Sequence, residues 1–588
     1  MNKTTFGVLT SLFLNMSVGH ASPPSHESVA PTATPAPYDT GTLHILKTHE
    51  VDSLDPARSF DPSSWELIGA IYEGLYQYRY LDEDYHLDPL LAADLPEATA
   101  RFTRWKIRLR DDLKFQDSSV FVATKGEGRA VTTDDLIFSW KRLALPEVDS
   151  KVWGYIKGSV KGFDNFRARL AKAKGKERAA IFAEKIEGLT ALDPYTLVIE
   201  LTEPRPSFAH LLTLPFFSVV PREAVDLLSN RQGLLEDAAV GTGPFVLAKR
   251  TRGKTWILER NPKYRPVFYP TAGGERFRQK GLLASAGKPL PLATKILVEF
   301  EPSLEKQKEK LSSGKVDYWQ TPSPSPSSTV APTSSTGATV EMIVFNQKRG
   351  VFARNREMRL AFLKAIDREK LLAALDTSKE NLADQLVPPG VSGRSPVSFA
   401  WGGPEPIPFR KLLEKAGVSA ERPLPPVFLE VLDDGELSRK KADFLVATWQ
   451  AAGIPVRARL SPRSLYTSRL AEGRYDLALY TWKNPVPTAE QAYQILNSKA
   501  VAPAGRNLSG FENATFDGLL EELAERNPDT QADQVKALTE KLEKIIATEA
   551  PVGPLFYVEE KVVIQPWLKN FRGSEFMSSR LKFLKVER

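Results

Sequence analysis

The chain contains no cysteine. Disulfides, thiol nucleophiles, cysteine-bound zinc, iron–sulfur clusters and a lipid carried on cysteine are therefore excluded. Histidine is scarce too: beyond the N-terminal leader the chain has only His44, His49, His86 and His210. His44 and His49 lie on opposite faces of an extended segment, which does not make a metal site. After the leader no segment reaches the roughly 18 uninterrupted apolar residues of a membrane-spanning helix, so a soluble mature chain is expected. No block of one charge stands out, because 79 basic residues are nearly balanced by 72 acidic ones. That balance describes a mixed solvated surface and argues against a nucleic-acid partner.

The familiar catalytic signatures are missing as well. There is no G-x-S-x-G elbow, no H-E-x-x-H helix and no phosphate-binding loop, since Gly241–Thr242–Gly243 runs straight into Pro244. The many carboxylates form no local acid/base pair. No catalytic residue, metal ligand or cofactor is assigned, and the weight moves toward a binding protein rather than an enzyme.

What is present is ample. Hydrophobic residues make up 42% of 588, enough for several cores, and the length suggests about four domains or fewer larger ones. Met1–Ala21 reads as a secretory signal: Lys3 supplies charge, Phe6–Phe13 is a short apolar run, and Gly19 and Ala21 are the small residues a signal peptidase reads. Residues 22–41, rich in Pro, Ala, Ser and Thr, are expected to be a flexible leader.

From Thr42 the periodicities change. A first strand around Leu43 and Ile45 precedes a helical pattern over Trp65–Leu75. Trp105, Ile107 and Leu109 alternate with charged residues as a half-buried strand, and Thr133 is expected to cap the following helix. Thr196–Leu201 is a strand, and Pro244–Arg260 is a hairpin turning at Gly253. Arg354–Leu372 reads as one long amphipathic helix. Val427–Leu432, Glu436–Ala452 and Ile454–Leu460 read as strand–helix–strand with Gly453 at the helix C-terminus, which predicts parallel strands. Tyr475–Tyr480 is a further strand. Two helices follow, lined by Phe516, Leu519, Leu520 and Leu523 and by Val535, Leu538, Leu542 and Ile545. Residues 118–129 and 266–292 read as irregular insertions, and the Ser/Pro/Thr tract 321–338 as a mobile one. The fold class is α/β with mixed sheets.

Ten phrases in order then carry a resemblance. They are SLDPA (Ser53–Ala57), YEGL (Tyr72–Leu75), WKIRLRDDLKFQD (Trp105–Asp117), TDDLIFSWKR (Thr133–Arg142), GTGPF (Gly241–Phe245), ERNPKY (Glu259–Tyr264), GKVD (Gly314–Asp317), RLAFLKAID (Arg359–Asp367), LLEKAG (Leu412–Gly417) and YDLALYTW (Tyr475–Trp482). They cover nearly the whole chain after Thr42. The chain resembles the solute-binding proteins of peptide-type ABC importers, extracellular solute-binding protein family 5, which includes the periplasmic oligopeptide- and dipeptide-binding proteins.

The resemblance implies a two-lobe periplasmic-binding-protein fold of type II, with an extra subdomain in the first lobe. Residues 42–66, 196–298 and 553–588 would form the main part of lobe 1, residues 67–195 the extra subdomain, and residues 299–552 lobe 2. It also implies a periplasmic monomer that holds a peptide by backbone hydrogen bonds, as an added strand, and hands it to the permease subunits of an inner-membrane ABC transporter. The matching ligand-binding positions are Glu50, Tyr155, Asn346 and Trp482, with Asn484 adjacent. One position departs from the pattern. Where the peptide binders carry an Asp that pairs with the peptide's ammonium, this chain has Pro485, in Lys483–Asn484–Pro485. Asn484 is neutral, so the ammonium would have to turn to another acid such as Glu50 or Glu490, or be absent from the ligand. Alternative solutes on the same fold are a murein peptide, a metal chelate, haem or an opine. An exported enzyme or chaperone on this scaffold is the reading from another class.

The leader makes a direct prediction. The exported protein is expected to begin at Ser22, cut after Ala21, and its intact mass checks this; a retained leader would contradict the export reading.

Overall fold

Two strands of 13 residues each, Thr333–Phe345 and Val552–Ile564, pair antiparallel near the middle of a ten-stranded sheet. In the computed structural model of the protein, the described residues are 41–588, apart from 52, 60–61, 151, 231–233, 236–237, 321–332, 376–380, 396–407, 504, 529 and 575. The signal and leader readings and residues 321–332 of the Ser/Pro/Thr tract therefore lie outside the described residues.

From one edge to the other the sheet runs Val456–Ser461, Val427–Leu432, Leu477–Lys483, Thr333–Phe345, Val552–Ile564, Tyr318–Gln320, Thr42–Lys47, Lys295–Phe300, Thr255–Arg260 and Phe245–Thr251. The two long strands join its halves. Thr333–Phe345 pairs on its outer side with Leu477–Lys483, and Val552–Ile564 pairs at its far end with Tyr318–Gln320. Between them the register shifts twice, at Thr336/Thr339 and at Glu341/Met342, irregularities that bend and twist a strand pair.

Side-chain alternation along these strands builds a core on each face. Ile343 and Phe345 join Leu360, Phe362, Leu445 and Trp449 on one side. Met342 and Val344 join Tyr493, Phe516, Leu538 and Leu542 on the other. A third and larger core gathers Leu43, Ile45, Ile68, Tyr72, Trp140, Phe217 and Trp256 around the other half of the sheet. A separate four-stranded sheet, Glu97–Thr99, Arg104–Arg108, Thr196–Glu200 and Leu189–Asp193 in that order, packs on this third core through Trp105, Ile107, Leu197 and Ile199. Among the described residues no helix is long and apolar enough to cross a membrane.

Most of the elements read from periodicity are present. The Phe245–Thr251 and Thr255–Arg260 hairpin turns at Gly253, whose φ of +67° suits glycine. Val427–Leu432 and Val456–Ser461 are parallel and flank the helix Glu436–Ala451, with Gly453 at φ +81°. Other readings need correction. Arg354–Leu372 is two helices, Arg356–Lys364 and Arg368–Ala374, because the Asp367 side chain accepts from the Lys370 N–H and caps a new start. The cap of the Thr133–Arg142 helix is Thr132, one residue earlier than expected, in a capping box with Asp135. The end of the low-complexity tract is strand, since Thr333–Thr336 pair with Glu559–Val562. The 266–292 insertion carries a short helix, Glu275–Gln279, and a small core of its own. In that core Tyr269, Phe277, Leu282 and Leu290 pack on Tyr80 and Phe583.

Several of the phrases that carried the resemblance supply the acids of buried polar clusters. Asp55 of SLDPA pairs with Arg142 of FSWKR, with both side chains almost wholly buried, and also accepts from the backbone of Ala57 and Leu235. Glu73 of YEGL accepts from Arg265, from the Tyr264 hydroxyl of NPKY and from Thr242 of GTGPF. Asp317 of GKVD accepts from the His44 N–H, Trp567 Nε1 and Arg588.

Glu66 draws together the most distant segments. Its carboxylate accepts from Lys47 at 3.0 Å, Arg580 at 2.8 Å and the Tyr318 hydroxyl at 3.1 Å. Burial alone would raise its pKa, but Lys47 and Arg580 outweigh burial and hold it down at about 2. Because the folded value lies below the unfolded one, this stabilisation is present above about pH 4.5 and is lost as pH falls toward 2. Glu66→Gln leaves two buried cations without their acid and is expected to cost about 3–5 kcal/mol. Denaturant unfolding at pH 7 measures the loss. Repeating it across pH 2–5 should show a flatter acid limb in the variant, and an unchanged limb would contradict this reading of the cluster.

Candidate functional site

Aromatic side chains from one half of the chain face cations from the other. The short helix Trp153–Ile156 carries Tyr155, whose ring stacks on Phe216 with centroids 5.9 Å apart and planes within 11°. Phe216 in turn meets Trp65, on the helix Pro62–Ile71, edge to face at 6.3 Å. These three rings make a row on the first half. Opposite lie Trp482 and Lys483 at the end of the Leu477–Lys483 strand, and Arg506 on a loop beyond the short helix Ala489–Tyr493. The Arg506 guanidinium carbon sits 3.5 Å from the Tyr155 centroid and 5.7 Å from that of Trp482. The Lys483 ammonium lies 6.0 Å from the Trp65 ring centre.

Local structure explains how Arg506 is presented. Its neighbour Asn507 is fully buried, and the Asn507 amide donates to the carbonyls of Asn497 and Phe511. The Asn507 N–H bonds the Ala500 carbonyl at 2.7 Å, which closes the loop. Arg506, held at the tip, lies against Gly154, where an added Cβ would come within 3.1 Å of two guanidinium nitrogens. Among the described residues no carboxylate pairs with Arg506, and its guanidinium makes no hydrogen bond; its contacts are the two rings and Gly154. The Tyr480 hydroxyl belongs to the same group. Burial pushes its pKa up, Arg506 opposes the shift and Tyr155 adds to it.

A second contact spans the halves. The Ser207 hydroxyl donates to Glu490 at 2.5 Å, with both residues buried. The same carboxylate accepts from the side-chain amides of Gln491 and Gln494.

Of the five positions expected to touch a ligand, the structure brings together Tyr155, Trp482 and Asn484. Trp482 is 5% exposed and packs in a core, and its Nε1 donates to Asn484 Oδ1 at 3.0 Å. The other two stand apart. Asn346 lies about 20 Å along the strand from the position paired with Trp482, at about 3.3 Å per residue. Its amide donates to the carbonyls of Gly473 and Tyr475. Glu50 is folded onto the hairpin, accepting from Arg250, Trp256 Nε1 and the Gly253 N–H. Burial would raise its pKa, but these donors prevail and lower it. Arg506 is the member of this group that sequence reasoning missed: Gly505–Arg506–Asn507 matches no motif, and only the folded loop places it against Tyr155.

One grouping among the described residues has metal-ligand geometry. Asp82, Asp84 and His86 bring a ligand atom each within 4.8 Å, but the three sit on an exposed turn where Asp82 already accepts from His86.

Two cored halves joined by paired strands, with facing aromatic and cationic walls, define the class: this is the two-lobe fold of the periplasmic binding proteins. The solved ABC transporter-associated periplasmic binding protein DppA of Helicobacter pylori, in complex with the peptide STSA, superposes with a TM-score of 0.70 at 20% identity, covering 93% of this chain and 98% of that one. Bacterial extracellular solute-binding proteins, family 5 (middle region), match residues 86–503, and the chain belongs to that family. It is 24% identical over 590 residues to the periplasmic oligopeptide-binding protein OppA of Salmonella typhimurium, covering 97% of this chain and 95% of the relative. It is 25% identical over 543 residues to the probable deoxycholate-binding periplasmic protein YgiS of Escherichia coli, covering 88% of each.

The Glu50 geometry yields a prediction. Glu50→Gln is expected to lower unfolding stability by about 1–3 kcal/mol, the scale of hydrogen bonds to a charged group. Solute affinity, measured by calorimetry, should stay unchanged; a loss of affinity without a loss of stability would move Glu50 into the binding cleft.

Proposed function

We propose that this protein is a periplasmic solute-binding protein that captures a peptide or peptide-like solute between two lobes and delivers it to the permease of an inner-membrane ABC importer. It binds and releases its solute and does not transform it. In this reading one lobe comprises residues 42–66, 196–298 and 553–588 with the subdomain 67–195, and the other comprises residues 299–552. The two long strands are the hinge. The observation that carries the reading is the Tyr155–Arg506–Trp482 contact, in which the two sides of the molecule meet through side chains suited to a ligand wall.

The chemistry follows from the hinge. A cleft between lobes can admit an extended peptide, bond its backbone as an added strand and leave side chains in hydrated pockets, where water bridges the polar groups. Tyr155, Trp482 and Asn484 are the residues we place at that cleft. The likeness to a probable deoxycholate-binding protein, together with Pro485 where peptide binders hold an acid, favours a second reading, in which the solute is a non-peptide. Both readings share the trap.

Lobe closure is testable in solution. On saturation with its solute the radius of gyration, measured by X-ray scattering, should fall toward the roughly 24 Å of a compact chain of this length. Unchanged scattering at saturation would contradict a hinge. Trp482→Ala is expected to weaken binding by about 1–3 kcal/mol, as for a buried aromatic anchor. Unchanged affinity in the folded variant would return Trp482 to the core alone.

A further inference from the structure

The cleft is charged in an unexpected sense. Both acids that could receive a ligand ammonium already have donors: Glu50 is held by Arg250, Trp256 and Gly253, and Glu490 by Ser207, Gln491 and Gln494. The position where a carboxylate would be sought is Pro485, and it is buried. Close by, the Arg506 guanidinium lies 5.7 Å from the ring centre of Trp482, three residues before it.

The neutral neighbour points the same way. Asn484 is 0% exposed. An indole N–H only donates, so the Trp482 contact fixes the carbonyl end of the Asn484 amide toward Trp482. Its NH2 end faces elsewhere, and Asn484 Nδ2 has no hydrogen-bond partner among the described residues. A buried donor left unmade costs free energy, and an acceptor from outside the chain would recover it. Arg506 adds more donors. Its guanidinium face is covered by Tyr155, which leaves its edge N–H groups, the ones that grip a carboxylate in a fork, without a partner.

We propose that the cleft seats an anionic group of the solute, a carboxylate, on Arg506 and the Asn484 amide, at the place where an ammonium would otherwise be bound. One guanidinium with a neutral amide matches the single charge of a carboxylate. Arg506 is then a specificity-determining residue. A free α-ammonium placed there meets the Arg506 guanidinium and is repelled. The inference rests on the peptide-like solute reading above and narrows it to acidic or acyl-capped molecules carrying a carboxylate at that end.

The test uses one peptide, tetra-alanine, in three forms: with a free α-amine, with a neutral N-acetyl cap and with an anionic N-succinyl cap. Each is titrated by calorimetry into the mature protein. The succinyl form is expected to bind about tenfold or more tighter than the acetyl form, the scale of one charge-assisted hydrogen bond. The free amine should bind no better than the acetyl form. Arg506→Gln should erase the succinyl advantage, and Arg506→Lys should keep part of it, because an ammonium retains charge without the fork. The order among the three peptides on the unmodified protein is decisive on its own should a variant fail to fold. Tightest binding of the free amine, equal binding of all three, or a succinyl advantage that survives Arg506→Gln in the folded variant overturns the inference and leaves the peptide reading standing. If none of the three binds, the peptide reading falls and this inference with it.

Discussion

The antiparallel pairing of Thr333–Phe345 with Val552–Ile564 is the constraint on which the rest depends. Thr333–Phe345 pairs on its other side with Leu477–Lys483 and Val552–Ile564 with Tyr318–Gln320, so the two halves of the sheet meet along this shared backbone ladder. The two register shifts lie within this ladder. A pair of strands that is continuous yet irregular can bend without unpairing, and that is the mechanical requirement for two lobes to move about a line while each keeps its core. The contacts across the cleft include Arg506 with Tyr155 and Glu490 with Ser207. Cores such as that of Ile343, Phe362 and Trp449 are large and apolar.

Buried charge is the second organising feature. Asp55–Arg142, Glu73–Arg265 and Glu66 with Lys47 and Arg580 each join segments far apart in the chain. Such clusters add modest net stability, yet breaking one is costly because the remaining charge is stranded in the interior. They thus fix which segments come together. Some of these acids lie inside the phrases that carry the resemblance: SLDPA supplies Asp55 and YEGL supplies Glu73, as GKVD supplies the buried Asp317, whereas Glu66, Lys47, Arg265 and Arg580 lie outside them. Those phrases are legible because they encode the frame. They say little about the solute: Arg506, which meets Tyr155, lies outside them, and Asn484 lies just beyond YDLALYTW.

The same division explains how far the fold could be read from the residues. The hairpin at Gly253 and the parallel unit around Glu436–Ala451 follow from local periodicity and from glycines at positive φ. Arg354–Leu372 shows a continuous apolar face, which hid the interior cap at Asp367 that splits it. Thr333–Thr336 looks like a linker by composition, and becomes strand because backbone pairing with Glu559–Val562 does not depend on side-chain type. In the 266–292 insertion Tyr269, Phe277 and Leu282 are spaced without period, and their partners Tyr80 and Phe583 are hundreds of residues away along the chain, so no window of sequence shows that core. Arg506 was hidden for the same reason: its meaning comes from a contact with Tyr155, which only the fold supplies.

The central claim is that this chain holds an unaltered small solute in the cleft between its lobes. Native mass spectrometry of the protein purified from periplasm tests it most directly. The account predicts a one-to-one complex that releases, on gentle activation, an intact peptide or peptide-like molecule, and that loses it when Trp482 is replaced. Protein that carries no such molecule from its native compartment and takes up none from a periplasmic extract, or that converts an added molecule into a product, would contradict the account.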